Sequence, residues 1–170
     1  MSCGAIGVVG MGAMGRGIAE VAARAKHFVQ TIDKTSVMVS DTSGYIVNRL
    51  LVPYLLDALR ALEAHVAAAE AIDAAMKLGC AHPMGPRQLS DAIGLDVVYA
   101  MAKTMHKELG EQRFSPPPLL RRLVLAGHLG KKSRLGVYDY SVHPPRVNSR
   151  LWPSEVTDQT ASQMTTPEST

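Results

Sequence analysis

The sequence predicts a mainly α-helical protein, a helical domain preceded by a short strand–helix–strand remnant. Three observations carry this. Apolar residues recur at Ile46, Val47, Leu50, Leu51, Tyr54, Leu55, Ala58, Leu59 and Leu62, the spacing of one helix face. Beyond Glu63 the periodicity stays helical, and it is punctuated by Gly79, Pro86, Gly94, Gly110, Pro116 and Gly127. Strand-like runs rich in β-branched residues are expected at Ala5–Val9 and Ser36–Ser40, both within the first forty residues.

Composition bounds the reading. The 170 residues suffice for one domain or little more. A chain that is 46% hydrophobic and 19% charged is of the soluble globular class. Aromatics make up only 5%, so the core is to be built from Ala, Val, Leu and Met. The net charge is +3, and no basic stripe interleaves with aromatics, which argues against nucleic-acid binding. Cys3 and Cys80 stand alone, without C-x-x-C or zinc-like spacing, as free thiols of a reducing compartment would. The N-terminus is Gly-rich and its first charge is Arg16, a poor signal peptide. No run approaches the ~18 apolar residues of a membrane helix. A cytoplasmic protein is expected.

Residues 1–40 read as a truncated dinucleotide-binding (Rossmann) remnant. The strand Ala5–Val9 runs into G-M-G-A-M-G, and an Ala-rich helix begins near Met14 and passes through Ile18, Val21 and Ala22. This is the setting a dinucleotide-binding fingerprint requires. Gly10 permits a tight turn, Gly12 lets the backbone approach a pyrophosphate, and Gly15 lets helix and strand pack closely. With Met11, Ala13 and Met14 they make up the loop whose N–H groups and helix end would face the phosphates. Asp33 has two readings. It lies 18 residues beyond Gly15, near the ~20 expected of a ribose-binding carboxylate, with V-Q-T-I-D as its strand. D-K-T-S-V also fits a solvated turn before a last strand, Ser36–Ser40, and the turn is the preferred reading.

Residues 41–140 read as the helical domain. Pro53 falls inside the first helical pattern, so a kink or a late start is expected there. Asn48 is a polar residue among apolar neighbours, and its amide needs partners. Glu70–Leu78 is a helix with Gly79 as its C-terminal cap. Pro86–Ile93 is started by Pro and stopped by Gly94. Asp96 is the expected N-cap of a longer helix bearing Val97, Val98, Met101, Met105 and Leu109. After Pro116-Pro117-Pro118, Leu119, Leu120, Leu123 and Val124 form another amphipathic helix. In residues 141–170, ten of thirty are Ser or Thr and four are Pro, which predicts a disordered tail. Of the histidines, only His143 has a carboxylate, Asp139, at a helical offset.

Three strings carry a family resemblance. D-T-S-G-Y-I-V-N-R-L-L-V-P-Y-L (Asp41–Leu55) resembles the domain junction of the NAD-dependent L-3-hydroxyacyl-CoA dehydrogenases, which include the 3-hydroxybutyryl-CoA dehydrogenases. E-A-I-D-A-A-M-K-L-G-C-A-H-P-M-G-P (Glu70–Pro86) and G-K-K-S-R-L-G-V-Y-D-Y (Gly130–Tyr140) are similar to two further signatures of that family, in the same order. The N-terminal G-V-V-G-M-G-A-M-G-R-G-I-A-E is close to its first phosphate loop. Departures are small: Ser43 where Pro is usual, Tyr45 where Phe is usual, and Ser133-Arg134 where Thr-Gly is common.

The resemblance implies oxidation of a 3-hydroxyacyl-CoA with NAD as cofactor, in fatty-acid metabolism. It implies a helical domain that forms a homodimer and closes over the acyl-CoA. It places Asn48 in the active site, beside a catalytic His and the thioester end of the substrate. Lys131-Lys132 reads as a solvated face or as a contact to CoA phosphates. Most of the Rossmann domain is expected to be missing between the phosphate loop and Asp41. The family's catalytic His lies in an H-F-F-N-P-like string with an orienting Glu beyond it, and this sequence has neither. His27 is followed by Phe28-Val29-Gln30 and does not inherit the role. The alternative is therefore a catalytically inactive helical dimerisation or acyl-CoA-binding remnant. A third reading, another β-hydroxyacid dehydrogenase opening with G-x-G-x-M-G, is opposed by Asp41–Arg49 and His82–Pro86.

Overall fold

The computed structural model describes residues 24–149 apart from Met38. The strand expected at Ala5–Val9, the loop Gly10–Gly15 and the end of the chain from Arg150 lie outside the described residues. The chain divides into two units, Met1–Arg49 and Leu50–Thr170.

In the first unit residues 24–31 are helical (α1) and end in a turn. The Asp33 N–H donates to the Gln30 carbonyl, and the Lys34 N–H donates to the Val29 carbonyl. V-Q-T-I-D is thus the end of a helix and its turn, which corrects the strand reading of that string. Residues 34–37 and 39–40 form no strand either.

The second unit is helical. The elements are α2 (Val47–Glu63), α3 (Ala69–Gly79), α4 (Pro86–Ile93), α5 (Leu95–Leu109) and α6 (Pro118–Leu125), with 3₁₀ turns at Gln112–Phe114 and Lys131–Ser133. Strands β1 (Tyr138–Asp139) and β2 (Arg146–Val147) pair antiparallel, Tyr138 opposite Val147. The α4 boundaries are those the sequence predicts. Gly110 adopts the left-handed conformation that ends α5, at φ 68°, as helix C-termini favour.

The core is aliphatic. α2 contributes Val52, Leu55, Leu56, Leu59 and Leu62; α5 contributes Leu95, Val98, Ala102 and Met105; α6 contributes Leu119, Leu120 and Leu123. Phe114 and Val137 close it and are fully buried. Burying each large side chain stabilises the fold by about 1.5–3 kcal/mol.

Other expectations change. α2 runs through Pro53, which is buried, and starts at Val47. Val47 and Leu50, expected on the apolar face, are 61% and 68% exposed. Val52 and Leu56 are buried instead. Gly79 is the last residue of α3, and the positive φ after it falls on Ala81. Gly94, not Asp96, precedes α5 as its N-cap; Asp96 sits in the first turn and pairs with Lys132. The expected tail is ordered at its start. β2 returns against β1, and Asn148 is buried, its N–H on the Val137 carbonyl and its Nδ2 on the Gly136 carbonyl. Polar composition misled there, since strand addition draws on backbone groups that every residue carries.

Candidate functional site

Asn48 lies in the first turn of α2, half-buried, with its N–H on the Gly44 carbonyl at 3.1 Å. Gly44 and Tyr45 both have positive φ, 78° and 46°. Glycine takes that conformation freely, whereas Tyr45 is strained in it. The S-G-Y string is thus a sharp turn that sets the start of α2 and hence the position of Asn48.

One turn and a half further on, the Tyr54 hydroxyl bonds to His82 Nδ1 at 2.9 Å, and the two rings meet edge to face with centroids 5.4 Å apart. Burial pushes the Tyr54 phenol up, and Asp73 adds to the shift. The phenol therefore stays protonated, and its hydroxyl pairs with His82 Nδ1 as donor or acceptor according to the imidazole tautomer. This contact ties the H-P-M-G-P turn to α2. It gives His82 a structural task, in line with its place in a helix–helix turn.

Behind that turn lies a polar cluster that sequence reasoning missed. Asp73 of α3 is 3% exposed. Its carboxylate accepts from the Arg87 N–H at 2.7 Å, the Gln88 N–H at 3.1 Å and the Tyr138 hydroxyl at 2.8 Å. Arg87 and Gln88 are the second and third residues of α4. Their N–H groups have no acceptor within the helix. The N-cap, Gly85, has no side chain to offer, so a neighbouring helix supplies the cap. Glycine is required there, because a Cβ at position 85 would collide with the Asp73 side chain.

A second carboxylate repeats the device. Asp91 accepts from the Val137 N–H at 3.0 Å and the Tyr138 N–H at 2.9 Å. A Cβ at Gly130 or Gly136 would collide with Asp91. Burial raises the Asp91 carboxyl to about 6, against the opposing pull of those backbone donors. Arg87 between them is fully buried and donates through Nη2 to the Ala58 carbonyl of α2. Burial lowers its guanidinium to about 10, with Asp73 opposing the shift.

The second and third signature strings therefore meet at Asp73–Tyr138, and Asp91 of α4, outside both strings, holds the third. Their role there is architectural: they join α3, α4 and the β1 segment. A signal was present in the sequence for Asp73, which shares a helix face with Ala69, Ile72 and Met76, whereas Asp91 is two residues from both Leu89 and Ile93, on the opposite side of α4, and gave none.

The remaining predicted residues stand apart. Gly10, Met11, Gly12, Ala13, Met14 and Gly15 lie outside the described residues. Asp33 is exposed, in the turn after α1 at φ 53°. That is the solvated-turn setting rather than the strand end from which a ribose-binding acid projects. The described residues thus offer no fit for a bound dinucleotide. Cys80 is a free, exposed thiol. Lys132 pairs with Asp96 at 2.6 Å. Among the described residues no group of His, Cys, Asp and Glu could hold a metal ion, and no helix is long and apolar enough to cross a membrane.

Comparison with known proteins agrees with this architecture. Residues 44–140 match the model of the 3-hydroxyacyl-CoA dehydrogenase C-terminal domain. The 3-hydroxybutyryl-CoA dehydrogenase of Mycobacterium tuberculosis is 51% identical over 120 residues, 70% of this chain and 42% of that protein. The 3-hydroxybutyryl-CoA dehydrogenase of Clostridioides difficile is 45% identical over 112 residues, 66% of this chain and 40% of that protein. The crystal structure of M. tuberculosis FadB2 superposes with a TM-score of 0.68 at 50% identity, covering 70% of this chain and 42% of that one. That of 3-hydroxybutyryl-CoA dehydrogenase from Escherichia coli gives 0.72 at 43% identity, covering 76% and 28%. The chain thus spans well under half the length of these relatives. Through its helical C-terminal domain, it belongs to the 3-hydroxyacyl-CoA dehydrogenase family.

Proposed function

We propose that this chain supplies the helical, thioester-binding part of an NAD-dependent 3-hydroxyacyl-CoA dehydrogenase, with 3-hydroxybutyryl-CoA as the substrate class. The observation that carries the reading is the match over residues 44–140 with Asn48 held in the first turn of α2 by the Gly44–Tyr45 turn. An amide there can donate to a thioester carbonyl and accept from an imidazole, so it suits a site where a base and an acyl group meet. The chain's own share of the reaction is binding and orientation. No hydride or proton step is assigned to it, because the described residues form no dinucleotide site and the sequence lacks the family's His and Glu strings. The proposed cofactor is NAD, with Gly10, Met11, Gly12, Ala13, Met14 and Gly15 as the candidate phosphate loop. A homodimer through the helical domain is part of the same proposal, and light scattering reads it directly.

The test is acetoacetyl-CoA binding by calorimetry, together with NADH oxidation by the purified chain. Both are measured for the chain alone and with the nucleotide-binding domain of the M. tuberculosis relative added. Binding by the chain alone, with turnover in the mixture, is the expected result. Absence of both binding and turnover would overturn the proposal. Binding without turnover in any mixture would favour the non-catalytic acyl-CoA-binding module instead.

A further inference from the structure

The link from α5 to α6 is held rigidly. Phe114 is fully buried, and Arg60 Nη2 of α2 donates to the Ser115 carbonyl at 2.6 Å. Pro116, Pro117 and Pro118 follow, each with its φ fixed by the ring. The link is thus tied to the core at one residue and to α2 at the next.

Alongside it, α5 and α6 form a groove of about 500 Å³, within the about 300–1,000 Å³ of small-molecule sites. Tyr99, Pro116, Pro118 and Leu125 give it an apolar lining, and Lys103, Arg121 and Arg122 add three cations. Among the described residues no carboxylate lines it. Arg122 meets Glu63 at 3.5 Å, and Lys103 stands over the Tyr99 ring at 5.6 Å. No described carboxylate pairs with Lys103 or Arg121. Lys132, by contrast, is matched by Asp96 at 2.6 Å.

Like charges gathered in one groove repel, and an anion among them relieves that repulsion. Its charge must be compact to meet three cations in this volume. A single phosphate ester carries about two negative charges at pH 7, so a diphosphate matches the set where one carboxylate does not. The apolar lining calls for more than an anion. A ring and two prolines offer a flat base a surface to lie against, and Leu125, 75% exposed, adds to it.

The geometry points to a binding site for a free nucleoside diphosphate in the α5–α6 groove, its phosphates on Lys103, Arg121 and Arg122 and its base against Tyr99 and Leu125. The pinned proline link forms one wall in advance, which lowers the ordering cost of binding. The site is independent of Asn48 and of the acyl-CoA reading.

Calorimetric titration of the full chain with ADP tests it without acyl-CoA. Saturable binding tighter than about 1 mM is expected, weakening as salt is added. Lys103→Ala combined with Arg121→Ala should weaken ADP at least about tenfold, because two charge-assisted contacts are lost, while circular dichroism shows the helices intact. Lys77→Ala, at an exposed position of α3, should leave the affinity unchanged. Pyrophosphate and adenosine should each bind more weakly than ADP. Absence of saturable binding, pyrophosphate binding as tight as that of ADP, or an equal loss in Lys77→Ala would overturn the inference. Displacement of ADP by NADH or by acetoacetyl-CoA would also overturn it, by giving the groove to the cofactor or the substrate of the proposed reaction.

Discussion

Replacing Asp73 tests whether the buried carboxylate is what joins the signature strings. Asp73→Asn keeps the Oδ1 acceptor for the Arg87 N–H but places an amide NH₂ where Oδ2 accepts from Gln88 N–H and the Tyr138 hydroxyl. Two donors then face a donor. At about 1–3 kcal/mol for each donor left unmatched, the expected loss is about 2–6 kcal/mol. Asp73→Ala removes both acceptor oxygens, and with them all three hydrogen bonds, and also a countercharge of the fully buried Arg87. Its expected loss is about 4–6 kcal/mol, near the whole stability of an ordinary domain. Urea unfolding followed by circular dichroism measures both, with a double-mutant cycle of Asp73→Asn and Tyr138→Phe to isolate the pair. The cycle should return a coupling of about 1 kcal/mol or more. A loss below about 1 kcal/mol for Asp73→Ala, or additive behaviour in the cycle, would refute the argument.

Three further outcomes are expected from the same geometry. The folded state holds the Asp91 proton to about pH 6, whereas an unfolded chain releases it near the ordinary value of about 3.9. The folded state therefore binds more protons between those values, and this group's contribution falls as pH rises from about 4 to 6, by at most about 3 kcal/mol. Melting curves across that range should show the trend in the unsubstituted chain and a flatter one in Asp91→Asn; a constant difference between the two would exclude it. Gly85→Ala should destabilise by about 1–3 kcal/mol or more through its collision with Asp73, and a melting temperature equal to the parent's would show that the turn yields. Asn48→Ala should leave stability within about 0.5 kcal/mol while weakening acetoacetyl-CoA binding about tenfold, the equivalent of one hydrogen bond; unchanged affinity would remove Asn48 from the site.

Much of this was legible in the residues themselves. Helix identity came from apolar spacing and from Gly and Pro stops, which act locally: the limits of α4 and the glycine that ends α5 needed no tertiary information. The family was legible for the same reason, as strings of adjacent residues. The order of residues left open which polar groups meet. Asp73 and Tyr138 are 65 positions apart, and Asp91 finds its donors 46 and 47 positions on. A carboxylate is drawn to whatever N–H groups the packed helices leave without partners, and those become available only once α3, α4 and the β1 segment are in place. Local pattern also could not say that Val47 and Leu50 stay exposed, or that residues 146–148 return as a strand. Exposure and strand pairing depend on neighbours remote in the chain, so the tertiary structure alone decided them.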